Sequence, residues 1–151
     1  MERIVLRSGL SGFVLLDEIS DAGPDSVKGS RRFESAPPWL GIEALAQLGA
    51  YHVRFLCGFE KHAFLLGVKR CVLPRARDLS GSWRLSGTLK NRSSSAYSYD
   101  LTATGPDEAT LGGEFLFATT EYDDGVPRED ILRAHYEKVF SCLRSGSRKN
   151  Y

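Results

Sequence analysis

Residues 40–56 constrain what the rest of this chain can fold into. The pair Pro37-Pro38 disfavours helix at the residues before it, and Gly41 allows a tight approach, so the spacing predicts a helix beginning between Leu40 and Ile42. Ile42, Leu45, Ala46, Gly49, Ala50, Val53 and Leu56 recur at helical spacing, while Ala44, Leu48 and Phe55 fill much of the opposite face. A helix apolar nearly all round is a buried helix. The other elements must enclose it.

Two polar residues, Glu43 and Gln47, interrupt this helix one turn apart and therefore stack along a single line. A carboxylate in the first turn of an apolar helix is held between desolvation, which raises its pKa, and the helix N-terminus, which favours its charge. That balance is how a general acid or base is prepared. The plainer reading is a surface glutamate that compensates the helix dipole, with Gln47 solvated beside it.

The flanking sequence is β-rich. Residues 13–19 read as a first strand that ends in the turn-forming run Asp21-Ala22-Gly23-Pro24-Asp25, and residues 26–33 as its polar partner, with only Val27 and Phe33 apolar. After the helix, the loop 58–62 leads into the apolar segment 63–73, which Pro74 ends. Residues 82–90 alternate cleanly, with Trp83, Leu85, Gly87 and Leu89 on one face. Tyr97, Tyr99, Leu101 and Ala103 alternate in the next strand, and residues 109–120 form a third, so short polar turns join a meander. From Pro127 the period returns to helical, and Ile131, Leu132, His135, Tyr136, Val139, Phe140 and Leu143 mark one face of a helix over about 127–144 that packs on the sheet or on a partner chain. Residues 145–151 read as a frayed tail. At 151 residues the chain reads as a single domain, with its core over about 3–122.

Composition narrows the function classes. With 20 Lys and Arg against 19 Asp and Glu, the net charge is +1, and no basic patch suggests nucleic acid. No apolar run reaches membrane-spanning length and residues 1–7 lack the hydrophobic region of a signal peptide, so a cytoplasmic location is expected. Cys57, Cys71 and Cys142 are odd in number and widely spaced, which suits a reducing compartment; Cys57 and Cys71, set among apolar residues, read as packing thiols. None of them stands at metal-ligand spacing from His52, His62 or His135, so neither a metal nor a cofactor is expected.

The order of strand, strand, long apolar helix and meander describes an α+β fold, one antiparallel sheet wrapped around a central helix at about 40–57, with an extra C-terminal helix. At Gly41-Ile42-Glu43-Ala44-Leu45-Ala46-Gln47 the chain resembles the hotdog-fold β-hydroxyacyl-[acyl carrier protein] dehydratases, whose central helix carries a Glu-Ala-x-Ala-Gln signature. Phe13-Val14-Leu15-Leu16-Asp17-Glu18 resembles that family's opening strand, and Leu66-Gly67-Val68-Lys69-Arg70 its strand after the helix. The run from Ala36 to Glu43 is similar to a subgroup found with aryl polyene and related fatty-acid or polyketide gene sets.

The resemblance implies a catalytic role for Glu43 and places Pro38, Trp39, Gly41 and Gln47 on the substrate side, with Trp39, otherwise a core anchor, at the mouth of the acyl tunnel. In the family a histidine from a loop upstream of the helix, contributed by the other subunit, takes the proton α to a thioester carbonyl while the glutamate protonates the departing hydroxyl. That histidine has no counterpart here, because no histidine precedes His52 and Phe33 runs almost directly into Pro37. Arg32 stands nearest in sequence but stays protonated. His52 follows Glu43 by nine positions, about 13 Å along the helix axis, too far for a bond within one chain. His62 lies on a loop and reads as solvated, with a catalytic role across a dimer as the lesser alternative. The resemblance thus implies an acyl-thioester-binding protein whose partners are acyl carrier protein or coenzyme A and a second hotdog subunit, in a homodimer or heterodimer. A dehydratase-like enzyme, a non-catalytic subunit of a heteromeric dehydratase, and an acyl-CoA thioesterase are the three functions it leaves open.

Overall fold

A computed structural model describes residues 14–121 and 129–145. Strands β1 (Glu18–Ala22) and β2 (Ser26–Ala36) precede helix α1 (Pro38–Leu56), and β3 (Lys61–Val72), β4 (Leu79–Arg92), β5 (Ala96–Thr104) and β6 (Thr110–Glu121) follow it. Helix α2 (Glu129–Ser145) comes last. The six strands form one antiparallel sheet in the order β1-β2-β4-β5-β6-β3. The chain leaves β2 next to one edge and re-enters as β3 at the other edge, four strand positions or roughly 19 Å away. Helix α1, with 19 residues and so about 28 Å long, makes that crossing and packs against β2, β3, β4, β5 and β6. This is the hotdog arrangement, a sheet curled around a central helix.

The core lies between the two. Ala44, Leu45, Leu48 and Val53 of α1 meet Trp83, Leu85, Tyr99, Leu101, Leu111, Phe115 and Phe117 of the meander, all buried. Two glycines let helix and sheet approach closely. A Cβ at Gly49 would stand 2.5 Å from Phe117 Cζ, and one at Gly41 would stand 2.5 Å from Leu111 Cδ2 and 2.9 Å from Leu79 Cδ1. Gly41 is therefore a packing residue inside the helix, not the turn that opens it.

The helix begins earlier than the sequence predicts. Pro37 is its N-cap and Pro38 its first residue, where the missing N–H is one of the groups a helix leaves unbonded anyway. This places Glu43 in the second turn rather than the first, where the helix dipole has already weakened. The opening strand starts later, at Glu18, and upstream of it the Leu15 N–H bonds the Gln47 side chain instead of a neighbouring strand. Leu15 and Leu16 are nonetheless fully buried.

Helix α2 packs on its own chain. Phe140 lies 5.4 Å, centroid to centroid, from both Phe55 and Phe59, and Tyr136 meets Tyr51 edge-on at 6.1 Å. Val139 and Leu143 are buried. Arg144 Nη1 donates to the Ile19 carbonyl at 2.7 Å, and Arg133 pairs with Glu60 at 2.8 Å. The expected start of this helix at Pro127, the tail beyond residue 145, and the expected beginning of the core near residue 3 fall outside the described residues.

Candidate functional site

The line of α1 that carries Glu43 and Gln47 continues through Ala46, Ala50 and Arg54 and forms the floor of a cleft of about 320 Å³. Phe64 and Leu65 of β3 and Phe117 of β6 make an apolar wall, while Tyr136 and His135 of α2 close the far end. Glu43 is exposed in the single chain, so the sequence expectation of a sheltered carboxylate is met only in its position at the cleft. Its partner along the helix is committed elsewhere: Gln47 Oε1 accepts the N–H of Leu15 at 2.8 Å. That bond fixes the amide, and with it the segment leading into β1.

The remaining residues assigned to the substrate by resemblance do not line this cleft. Trp39 is 48% exposed, so it is not a core anchor. Pro38 is half-buried in the first turn, and Gly41 faces Leu79 and Leu111 of the core. Between Phe33 and Pro37 the chain is strand as far as Ala36, with a register shift after Phe33 and Ser35 at φ 53°, which leaves no loop to carry a histidine. The backbone N–H of Arg32 is held by Asp17 Oδ2 at 2.7 Å.

The histidines divide by position. His52 is fully buried on the core side of α1, with Nε2 2.7 Å from the Gly23 carbonyl and Nδ1 2.6 Å from the Tyr99 hydroxyl. Nε2–H donates to the carbonyl, so Nδ1 accepts from the tyrosine, a neutral tautomer held at both ends. Burial pushes its pKa down, and Arg92 adds to this, against the Gly23 hydrogen bond and Asp25. His62 opens β3 and is half-buried; burial and the Arg54 charge lower its pKa. His135 reaches the cleft from α2, its pKa lowered by burial, by Lys138 and by Arg54. Cys71 is exposed on β3, not packed as the apolar sequence around it suggests, while Cys57 Sγ lies 3.2 Å from the Tyr97 hydroxyl. Among the described residues, no three His, Cys, Asp or Glu side chains converge as a metal site requires, and no helix is long and apolar enough to cross a membrane.

Arg54, Tyr51 and His135 are the cleft residues that sequence reasoning passed over. One signal was present: Glu43, Gln47, Ala50 and Arg54 are separated by four, three and four positions, so the helical line that drew attention to the first pair extends to Arg54. Nothing local points to His135, which the fold brings in from α2.

No protein-family model matches the chain, and no curated protein sequence matches it. Solved structures do match. A thioesterase from Haemophilus influenzae superposes with a TM-score of 0.60 at 11% identity over 72% of this chain and 82% of that one. A dehydratase heterocomplex from Xenorhabdus doucetiae gives 0.60 at 14% identity over 72% and 84%. A hypothetical thioesterase from Streptococcus pneumoniae, solved with coenzyme A, gives 0.58 at 13% identity over 69% and 85%. The fold is that of the hotdog proteins.

Proposed function

We propose that this protein binds an acyl thioester, carried by acyl carrier protein or coenzyme A, in the cleft that Glu43 heads, and acts on it in the manner of the 3-hydroxyacyl-thioester dehydratases. The observation that carries the reading is the meeting of one carboxylate with an apolar groove. Among the described residues that line the cleft, Glu43 is the only acidic one, and Ala46, Ala50, Phe64, Leu65 and Phe117 line it with apolar surface. An acyl chain fits such a surface by burial alone, and Glu43 supplies the proton that a departing 3-hydroxyl needs.

Dehydration also needs a base for the proton α to the thioester. His52 is fixed between Gly23 and Tyr99 and does not line the cleft. His135 does line the cleft, but at its Arg54 end beside Tyr136, so we assign the base to a second subunit. Edge strand β3 is where that subunit joins: Phe64, Leu65 and Leu66 are 43%, 39% and 56% exposed there, and the first two also line the cleft. An unpaired strand edge with this much apolar surface is a pairing surface. A second copy or a companion hotdog subunit laid along β3 would cover the cleft mouth and shelter Glu43.

A thioesterase is the second reading. A single carboxylate suffices to activate water or to attack a thioester directly, and two of the three similar structures described above are thioesterases. One experiment separates the readings. Purified protein is given 3-hydroxyacyl and saturated acyl thioesters of both carriers, alone and with a companion hotdog subunit, and enoyl product and free thiol are followed together. Enoyl formation that Glu43→Gln lowers by roughly 100-fold or more supports the dehydratase. Thiol release without enoyl product selects the thioesterase. Neither product from any mixture overturns both and leaves a non-catalytic subunit, for which Glu43→Gln leaves partner activity unchanged.

A further inference from the structure

The cleft has a second polar end, where a buried cation has no carboxylate partner among the described residues. Arg54 stands in the last turn of α1 and is only 8% exposed. Its guanidinium carbon lies 3.9 Å from the ring centroid of Tyr136 and 5.0 Å from that of Tyr51. Nη2–H donates to the Ala63 carbonyl at 3.1 Å, while Nε is buried with no acceptor among the described residues. No carboxylate among the described residues pairs with it, although Arg31, Arg70 and Arg133 each have one. Burying a charge is costly without an opposite charge, and two aromatic faces offset only part of that cost.

Resting on the reading that an acyl thioester occupies this cleft, we infer that Arg54 is an anion receptor at the distal end of the groove, and that the natural acyl chain carries a carboxylate that seats on it. Arg54 and Glu43 line the same cavity and are eleven residues apart on one helical line, about 16 Å by helix rise. A ligand with its thioester at Glu43 would lay its chain over Ala46 and Ala50 and present its far terminus to the guanidinium. The planar fork matches a carboxylate in two-point geometry, and the surrounding rings exclude water, which strengthens the pairing. His135 lies beside it with its pKa held down by burial and by the cationic neighbours, so it offers a neutral imidazole to the same oxygen pair. A phosphate of the carrier arm presents similar oxyanion chemistry, and the probes below tell the two sources apart.

The test measures binding by calorimetry with three probes: monomethyl dodecanedioate, methyl dodecanoate and coenzyme A. The ester end stands in for the thioester, so the two chain probes differ in the carboxylate at the far terminus. On the unmodified protein, that carboxylate makes monomethyl dodecanedioate bind roughly ten- to a hundred-fold more tightly than methyl dodecanoate. Arg54→Met removes that advantage and leaves methyl dodecanoate unchanged, and Arg54→Lys, which keeps charge without the fork, retains part of it. The comparison of the two esters needs no variant, so a misfolded Arg54→Met leaves the inference open to refutation. Equal affinity for the two esters overturns it and, because both still bind, leaves the proposed function standing. Coenzyme A binding that falls with Arg54→Met while the two esters bind equally assigns the residue to the carrier phosphate, and also overturns it. Failure of all three probes to bind removes both.

Discussion

Acidification acts on His52 with a size that follows from its surroundings. The ring is fully buried, donates Nε2–H to the Gly23 carbonyl and accepts the Tyr99 hydroxyl on Nδ1. Protonation would place a second N–H on Nδ1, facing an oxygen whose own proton then lacks its acceptor, and would put a charge in the core. Burial is accordingly the largest cause of the lowered pKa, with Arg92 acting the same way and Gly23 and Asp25 acting against it. The unfolded chain has an ordinary histidine with a pKa near 6.5 and binds the proton first as pH falls. Stability therefore holds above that value and declines below it until the folded pKa is reached. If His52 stays neutral in the fold down to pH 5.5, the drop from pH 7.5 is RT ln 10, about 1.4 kcal/mol from this one residue. That is roughly 3–6 °C in Tm for a chain of this length. His52→Gln supplies one donor and one acceptor that do not titrate, so it costs stability at pH 7.5, and its deficit shrinks toward pH 5.5 by at most about 1.4 kcal/mol, the limit for a ring that stays neutral throughout. His62 and His135 also have lowered pKa values and contribute in both proteins alike, so they cancel in the difference. Urea unfolding of the two proteins at the two pH values measures it. A deficit that is the same at both, or a His52 resonance titrating at 6.5 in the folded protein, refutes the reasoning.

Two further outcomes test the packing and the edge. Gly49→Ala forces a methyl to within 2.5 Å of Phe117 Cζ and 2.7 Å of Cε1, and the cost of overpacking, about 1–3 kcal/mol, outweighs the gain of up to about 1 kcal/mol in helix propensity. The urea midpoint should fall. Leu66→Lys changes a 56% exposed residue of edge strand β3 that does not line the cleft. It should leave the fold intact by circular dichroism and convert a dimer to a monomer on gel filtration, and an unchanged elution volume would rule out pairing along β3.

What could be read before folding was whatever repeats along the chain. Strand β4 is legible because Trp83, Leu85 and Gly87 alternate with Arg84 and Ser86, and over residues 82–88 those three are the buried ones. Helix α1 is legible because both its faces are apolar, though not its first residue, since a proline at the first helical position reads as a block until the cap geometry is known. Strand β2 is harder: its inward residues include Gly29, whose burial under the Glu18 carbonyl comes from pairing with β1 and has no side chain to announce it. The cleft follows the same division. Glu43 and Gln47 stand out against an apolar helix, but Gln47 is taken by the Leu15 amide, a contact 32 residues away in the chain. Arg54 in a last turn reads as a solvated cation complementing the helix dipole. Only the arrival of Tyr136 from α2 turns it into a buried one. Residues whose chemistry depends on a neighbour more than eighty positions away leave no periodic trace, and in this protein they are the ones that set the far end of the cleft.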